Sequence, residues 1–341
     1  MPAPSDATAR GPAPFDVWGT VHGRWQGEVV CALLDLRVAD HLDDEEVRTA
    51  GELAVRTGLH PDRLHRLLVL AAAVGVFEQL DSDTFTHNAA SRLLRSGHPG
   101  SMRVEARHIL SAWQRTAWDG LVHAVRSGTS GFHGLTGKGV FDHFTTDPVQ
   151  AADFNAFQAQ VTARNARALV EHTTFPDGAT VVDVGGGTGM LLRKVLAAHP
   201  DLDGVLLDAP AVAAAAPAAE RMTAVGGDFF AAVPAGGYVY LLSHVLHDWG
   251  DDDAVTILSR IAEAMSPEAT LVVMENLRED DSALLISYLD MLMMTAWNSR
   301  ERSTAEYGDL MAEAGLAAPA ISVVEPRSGL ALLVTRRRGP G

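Results

Sequence analysis

The amino-acid sequence predicts an α/β fold, with an open parallel sheet in the second half of the chain and a mainly helical first half. Three observations predict it. The apolar, β-branched run Val181-Val182-Asp183-Val184 ends in Gly185-Gly186-Gly187-Thr188-Gly189, as a buried parallel strand ends in a tight turn. Helical spacing over 191–199 follows, and strand-like runs recur at 204–208, 222–225, 238–243 and 271–274, with helix-like stretches between them. Before residue 173 the apolar spacing is helical almost throughout.

Composition narrows the class. At 341 residues the chain has room for two domains with their own cores. Hydrophobic residues make up 47% and charged residues 21%, which excludes a disordered or fibrous chain. No apolar run reaches the roughly 18 residues of a membrane span, and the first residues lack the basic-then-apolar order of a signal peptide, so a cytoplasmic protein without a membrane partner is expected. A single cysteine, Cys31, rules out an intrachain disulfide and a cysteine-built zinc site. Its neighbours are apolar at helical spacing, so a core position is expected. The net charge of −16 repels phosphates, and nucleic acid is not an expected partner. Arg336-Arg337-Arg338 reads as a solvated tail.

The elements follow in order. Residues 1–14, rich in Pro, Ala and Ser, read as an arm. Val29, Val30, Leu33, Leu34, Leu36 and Val38 mark a helix that breaks near 35–39. Thr49 caps a helix over 50–56 that Gly58 closes, and Pro61 opens another with the stripe Leu64, Leu67, Leu68, Leu70, Ala71. Residues 76–80 and 84–86 flank Asp81-Ser82-Asp83 as a hairpin. Helix, turn, helix and hairpin make a winged-helix arrangement over 15–100. Those first 100 residues hold nine Arg or Lys against fourteen Asp or Glu, which opposes DNA binding and favours a structural or dimerising use. Residues 101–172 are helical, with Trp113, Trp118, Phe141, Phe144, Phe154 and Phe157 as large apolar residues, and the five glycines of 128–139 predict a loop. Pro176-Asp177-Gly178 turns the chain into the sheet domain, 173–341. Within it helices are expected over 211–220, 254–265 and 284–296, the second opening on Asp251-Asp252-Asp253, whose charges complement a helix dipole and suggest no metal site.

The glycines lie between a first strand and its helix, where open α/β sheets hold nucleotides. Asp208 ends the next strand about 20 residues on, placed for the hydroxyls of a ribose. Asp228-Phe229 can hold an adenine, the acid taking its amino group and the ring covering a face; a turn with a core phenylalanine is the alternative. Met190 stands where a dinucleotide fingerprint needs glycine, and the lysine of a phosphate loop is absent. Asp183 repels a pyrophosphate and suits a cationic ligand that carries an amino acid. Other nucleotide sites of Rossmann-like type stay open on these residues alone.

With these residues in view the chain resembles the plant-caffeate and bacterial-polyketide type of S-adenosylmethionine (SAM)-dependent O-methyltransferase. The resemblance spans roughly 15–335 and rests on Asp183 to Gly189, Leu207-Asp208-Ala209-Pro210, Gly226-Gly227-Asp228-Phe229-Phe230, His244-Val245-Leu246-His247-Asp248-Trp249 and Arg300-Glu301-Arg302-Ser303. It implies a Rossmann-like SAM-binding domain behind a winged-helix dimerisation domain, a homodimer, and a helical segment over 101–172 that covers an aromatic acceptor. It further implies that Asp183, Gly185, Gly187, Asp208, Ala209, Asp228, Phe229 and Ser243 hold SAM, with Phe141, Phe154 and Gln158 near the methyl donor. Trp113, Phe157, Asp248, Asp290, Met291 and Met294 correspond to the acceptor side.

Methyl transfer from a sulfonium needs alignment and removal of the acceptor's proton. A phenol, with a pKa near 10, needs a base, and His247 just after the fourth strand is placed to serve. Glu275 or Glu301 can hold its second nitrogen; the sequence leaves both open. Expected products are an O-methylated phenol and S-adenosylhomocysteine, with no metal. Three departures from the family stand out: Ser243 for a lysine near the adenosine, Gln158 for a methionine, and Asn298-Ser299 for paired glycines. A non-methylating tailoring reaction on the same fold and a SAM-sensing winged-helix regulator are the alternatives.

Overall fold

The computed structural model describes residues 14–279, 284–326 and 328–339, with side chains from residue 17 onward. The expected arm, apart from Pro14, lies outside the described residues. The chain forms two compact units, one through Ala112 and one from Trp113.

The first unit opens with helix α1 (Pro14–Asp35), which ends just before a short 3-10 turn, Val38–His41, as the broken apolar pattern predicts. β1 (Arg48–Thr49) leads into α2 (Ala50–Thr57), where Thr49 and Glu52 form a reciprocal capping box and Gly58 closes the helix at φ 70°. α3 (Pro61–Ala73) buries Leu64, Leu68 and Ala71, one residue per turn. Leu70, counted in that stripe from the sequence, lies off its centre and is 48% exposed. β2 (Glu78–Gln79) and β3 (Thr84–Thr86) pair as the expected hairpin, and β1 completes a small sheet in the order β1-β3-β2. α4 (Ala89–Arg92) and α5 (Arg103–Ile109) finish this winged-helix unit. Cys31 is half-buried rather than core, its Sγ 3.9 Å from an Asp35 carboxylate oxygen.

The second unit begins with short helices, α6 (Ala112–Asp119), α7 (Leu121–Ser127), α8 (Gly131–Thr136) and α9 (Val140–Thr146), and the long α10 (Pro148–His172). α8 corrects the loop expected over 128–139. Its glycines serve close packing: a Cβ on Gly131 would come within 2.5 Å of the Gly120 carbonyl oxygen, and one on Gly134 within 2.4 Å of the His123 ring. Ser130 caps α8 at the His133 amide.

The sheet is seven-stranded: β4 (Thr180–Val184), β5 (Asp203–Asp208), β6 (Met222–Gly226), β7 (Val239–Ser243), β8 (Thr270–Asn276), β9 (Ala320–Glu325) and β10 (Leu330–Arg336), in the order β6-β5-β4-β7-β8-β10-β9. The first five strands of that order run parallel, and β10 and β9 add antiparallel pairs at one edge. These two strands were absent from the sequence reading. Arg336 therefore ends a strand opposite Thr270, and Arg338 donates to the Leu316 carbonyl, so the arginines are exposed but not a tail. Helices α11 (Met190–Ala198), α12 (Pro210–Ala215), α13 (Asp251–Ala264), α14 (Leu284–Trp297) and α15 (Thr304–Glu313) connect the strands. α12 stops at Ala215, short of the expected 220, because Pro217 lacks an amide donor and clashes with the preceding turn.

Alternation along β4 divides the core. Val182 and Val184 pack with Leu258, Ile261 and Met311 on one face, while Val181 packs with Leu192, Val195 and Leu206 on the other. The strand order reverses between β4 and β7, so the crevice of the fold opens at the carboxyl ends of β4, β5, β7 and β8.

Candidate active site

On the first side of that crevice stands the glycine loop. Gly185, Gly187 and Gly189 have φ of 70°, 61° and 73°, the left-handed region that a side chain resists. A Cβ on Gly187 would meet nothing within 4 Å, so the loop presents open backbone to a ligand, whereas one on Gly186 would strike the Asp183 carboxylate. Asp208 is half-buried and accepts from the Gly187 amide at 2.8 Å and the Ala209 amide at 2.7 Å. Asp183 is fully buried and neither of its oxygens has a hydrogen-bond partner of good geometry, the Leu192 amide acting on the carboxylate only weakly. Burial, then the nearby Asp208 charge, pushes its pKa up to about 7. Asp228 accepts from the Phe230 amide, and Phe229 packs 5.9 Å from the Trp249 ring, edge to face. Ser243 Oγ lies 3.7 Å from the Met274 sulfur at the end of β7.

Across the crevice the loop after β7 carries His247. Its Nδ1 is 3.1 Å from Glu301 Oε1 and 3.5 Å from Glu275 Oε2, so both carboxylates considered from the sequence reach the same nitrogen. Nε2 faces the other way, 3.7 Å from Asp248 Oδ1. Burial opposes a charged imidazole, but the charges of Glu275, Glu301 and Asp248 outweigh it and hold the His247 pKa well above its ordinary 6.5. Glu275, at the end of β8, binds the Val245 and Leu246 amides through Oε1, and burial raises its pKa to about 7. Asp290 on α14 accepts from the Glu301 amide at 3.0 Å.

The other predicted residues fall on the helical side. Trp113, Phe141, Phe144, Phe154 and Trp297 form one aromatic cluster, with Trp113 rings at 5.5 Å from Trp297 and 6.2 Å from Phe154. Phe157 and Gln158 follow Phe154 on α10, half-buried and exposed respectively. Met291 and Met294 are half-buried on α14. Ser130 Oγ donates to the Thr295 and Ala296 carbonyls, fixing the start of α8 to the end of α14.

Arg302, Ser299 and His244 have a part in this site that the sequence analysis assigned to none of them. Arg302 is fully buried and clamps the His247 loop, donating to the Leu246 carbonyl at 2.8 Å, the Trp249 carbonyl at 2.7 Å and the Asp251 carboxylate. Ser299, noted only as a departure from glycine, donates to the carbonyls of His247 and Trp249. Asn298 before it takes the left-handed φ of 60° that a glycine would have taken. His244 has φ 52°, and its Nε2 meets the Asn165 side-chain nitrogen at 2.7 Å. Burial, then the His247 charge, drives the His244 pKa down to about 3. The two histidines three residues apart were a visible signal; the partners of Arg302, more than 50 residues away, were not.

A glycine loop and a carboxylate-backed imidazole on one edge of a doubly wound sheet define a nucleoside-dependent group-transfer enzyme. A family model of the O-methyltransferase domain matches residues 118–317, and one of the O-methyltransferase dimerisation domain matches 18–97. The mitomycin biosynthesis 6-O-methyltransferase of Streptomyces lavendulae is 37% identical over 316 residues, covering 90% of each chain. The solved mitomycin 7-O-methyltransferase MmcR aligns with a TM-score of 0.85 at 36% identity, over 94% of this chain and 96% of that one. An O-methyltransferase of neocarzinostatin biosynthesis, solved with SAM and 2-hydroxy-5-methyl naphthoic acid, aligns with a TM-score of 0.78 at 32% identity, over 91% and 95%. The chain belongs to the O-methyltransferase family, and it is a SAM-dependent methyltransferase.

Proposed function

We propose that this enzyme methylates a phenolic hydroxyl of an aromatic, polyketide-type small molecule, with His247 as general base. The observation that supports it most is the asymmetry of the His247 ring: Glu301 and Glu275 hold Nδ1 at 3.1 and 3.5 Å, and Nε2 points away from that pair, with Asp248 Oδ1 further off at 3.7 Å. Glu301 and Glu275 keep the proton on Nδ1, so the Nε2 lone pair meets the acceptor O–H. A phenol near pKa 10 and an unperturbed imidazole near 6.5 differ by about 3.5 units, and each unit of that gap costs about 1.4 kcal/mol. Raising the imidazole narrows it. Asp248, whose pKa burial lifts to about 6, places a polar group 3.7 Å from Nε2.

For the donor, Asp183, Gly185, Gly187, Asp208, Ala209, Asp228, Phe229 and Ser243 are the proposed contacts. The residues fit the group: buried Asp183 oxygens without partners of good geometry suit a cationic ligand, and the open space over Gly187 admits it. Bound SAM supplies a methyl activated by a neutral leaving group. Phe141, Phe154 and Gln158 are assigned to the donor side, and Trp113, Phe157, Asp290, Met291 and Met294 to the acceptor side. In the same reading residues 15–100 are a dimerisation domain, 101–172 cover the acceptor, and 173–341 hold donor and base.

A homodimer is supported by α1, which leaves Val17, Trp18, Val21 and Trp25 more than half exposed. Equilibrium sedimentation should give a dimer. A cytosolic location accords with the single cysteine, and no described helix is long and apolar enough to cross a membrane. Incubating the enzyme with SAM and a panel of phenols, then weighing the products, tests the function. A gain of one CH₂ with S-adenosylhomocysteine supports it; a gain of oxygen or loss of carbon dioxide replaces it with a non-methylating reaction.

A further inference from the structure

Two imidazoles and one carboxylate oxygen converge beneath the loop after β7. His244 Nδ1 lies 3.8 Å and His247 Nδ1 3.5 Å from the same atom, Glu275 Oε2. That oxygen is buried and has no hydrogen-bond partner, and neither has Glu301 Oε2. Each of the three side chains offers a ligand atom within 4.8 Å of those of the other two. A tetrahedral ion with bonds of about 2.1 Å spaces its ligands about 3.4 Å apart, so two of the three edges are already near that length.

One of the remaining nitrogens has a partner in place, and the other has a carboxylate near it. A metal-bound imidazole donates its other N–H to a fixed acceptor. Asn165 sits 2.7 Å from His244 Nε2, and with its amide turned it offers Oδ1; Asp248 Oδ1 stands 3.7 Å from His247 Nε2. The orientation of an amide is assigned, so that turn costs no rearrangement of the backbone.

We infer that His244, His247 and Glu275 form an inhibitory site for a borderline-soft divalent cation of the zinc type. Imidazole and carboxylate ligands in four-coordinate geometry select zinc over magnesium or calcium. The effect on catalysis follows from bond counting, and rests on His247 being the base. Metal on Nδ1 consumes that lone pair, the ring proton then resides on Nε2, and Nε2 has no lone pair left to accept the acceptor's proton. The Glu301 contact to Nδ1 is displaced by the same bond.

Cobalt chloride titrated into the full-length enzyme, without SAM or acceptor, tests the site through the visible absorption of four-coordinate cobalt. One equivalent per chain is expected, released by chelator and displaced by zinc. His244→Ala and Glu275→Gln should each weaken binding by about 100-fold, while Cys31→Ser leaves it unchanged; circular dichroism checks that the variants are folded. No four-coordinate absorption, binding that both variants retain, or binding that Cys31→Ser abolishes overturns the inference. The readout needs no turnover, so a negative result leaves the base assignment standing, and an active His247→Ala enzyme would remove that assignment without touching the metal result.

Discussion

Replacing Glu301 by Gln tests how the base is held. Glu301 Oε1 lies 3.1 Å from His247 Nδ1, a separation at which opposite charges attract by about 5 kcal/mol at an effective dielectric of 20. Desolvation of both groups reduces the net worth of such a charge-assisted hydrogen bond to about 1.5–3 kcal/mol. Gln also offers an N–H to Nδ1, which would favour the tautomer with its proton on Nε2. In serine-protease triads the corresponding amide change costs about 10⁴ in kcat. Here Glu275 Oε2 still faces Nδ1 at 3.5 Å, so the expected loss of kcat/KM is smaller, about 10- to 100-fold. The pH profile carries a second signature. A base must be neutral to act, so wild-type kcat/KM rises through a His247 pKa held above 6.5. Removing one carboxylate removes part of the charge that favours the imidazolium and lowers that pKa. The rising limb of the variant should move to lower pH. Steady-state rates from acid to alkaline pH measure both effects, and a variant with wild-type activity or an unmoved limb refutes the reasoning.

Further outcomes follow from the same geometry. Ser299→Ala leaves two loop carbonyls without their hydroxyl donor, so it should cost about 1–3 kcal/mol of stability and lower kcat several-fold while SAM affinity holds; calorimetry and steady-state rates separate the two. Arg302→Lys keeps the charge but loses the planar fork that reaches the Leu246 and Trp249 carbonyls, and a lower melting temperature with a lower kcat is expected. For Asp183 the folded pKa is raised from 3.8 to about 7, so its protonated form stabilises the ligand-free fold at low pH and that contribution is lost as pH rises from about 4 through 7. The loss is at most about 4 kcal/mol. Asp183→Asn should therefore fall less in melting temperature than wild type over that window; an equal fall would show the carboxyl to be solvated.

Local features were legible in the sequence because local chemistry decides them. Thr49 with Glu52, Gly58 and Pro61 set the ends of α2 and α3 by capping and fixed φ. The β-branched run ending in glycine marked β4 and its loop, and the carboxylate ending β5 marked Asp208. The misreadings came from distance. α8 lies in a glycine-rich stretch whose glycines answer to Gly120, just before α7, and His123 on it, a contact invisible in one dimension. β10 inserts between β8 and β9 in antiparallel register, and no local signal states which strand a chain end will join. His247, Glu275 and Glu301 were each singled out, yet their meeting at Nδ1 depends on Arg302 and Ser299 holding the loop, and those bonds span about 50 residues.

The most direct measurement is a paired one on His247→Ala: SAM binding by calorimetry, and methyl transfer in a single turnover with an acceptor the wild-type enzyme uses. Unchanged donor affinity with transfer slowed by about 100-fold or more is the predicted result. Transfer at the wild-type rate would contradict the imidazole's part in the reaction.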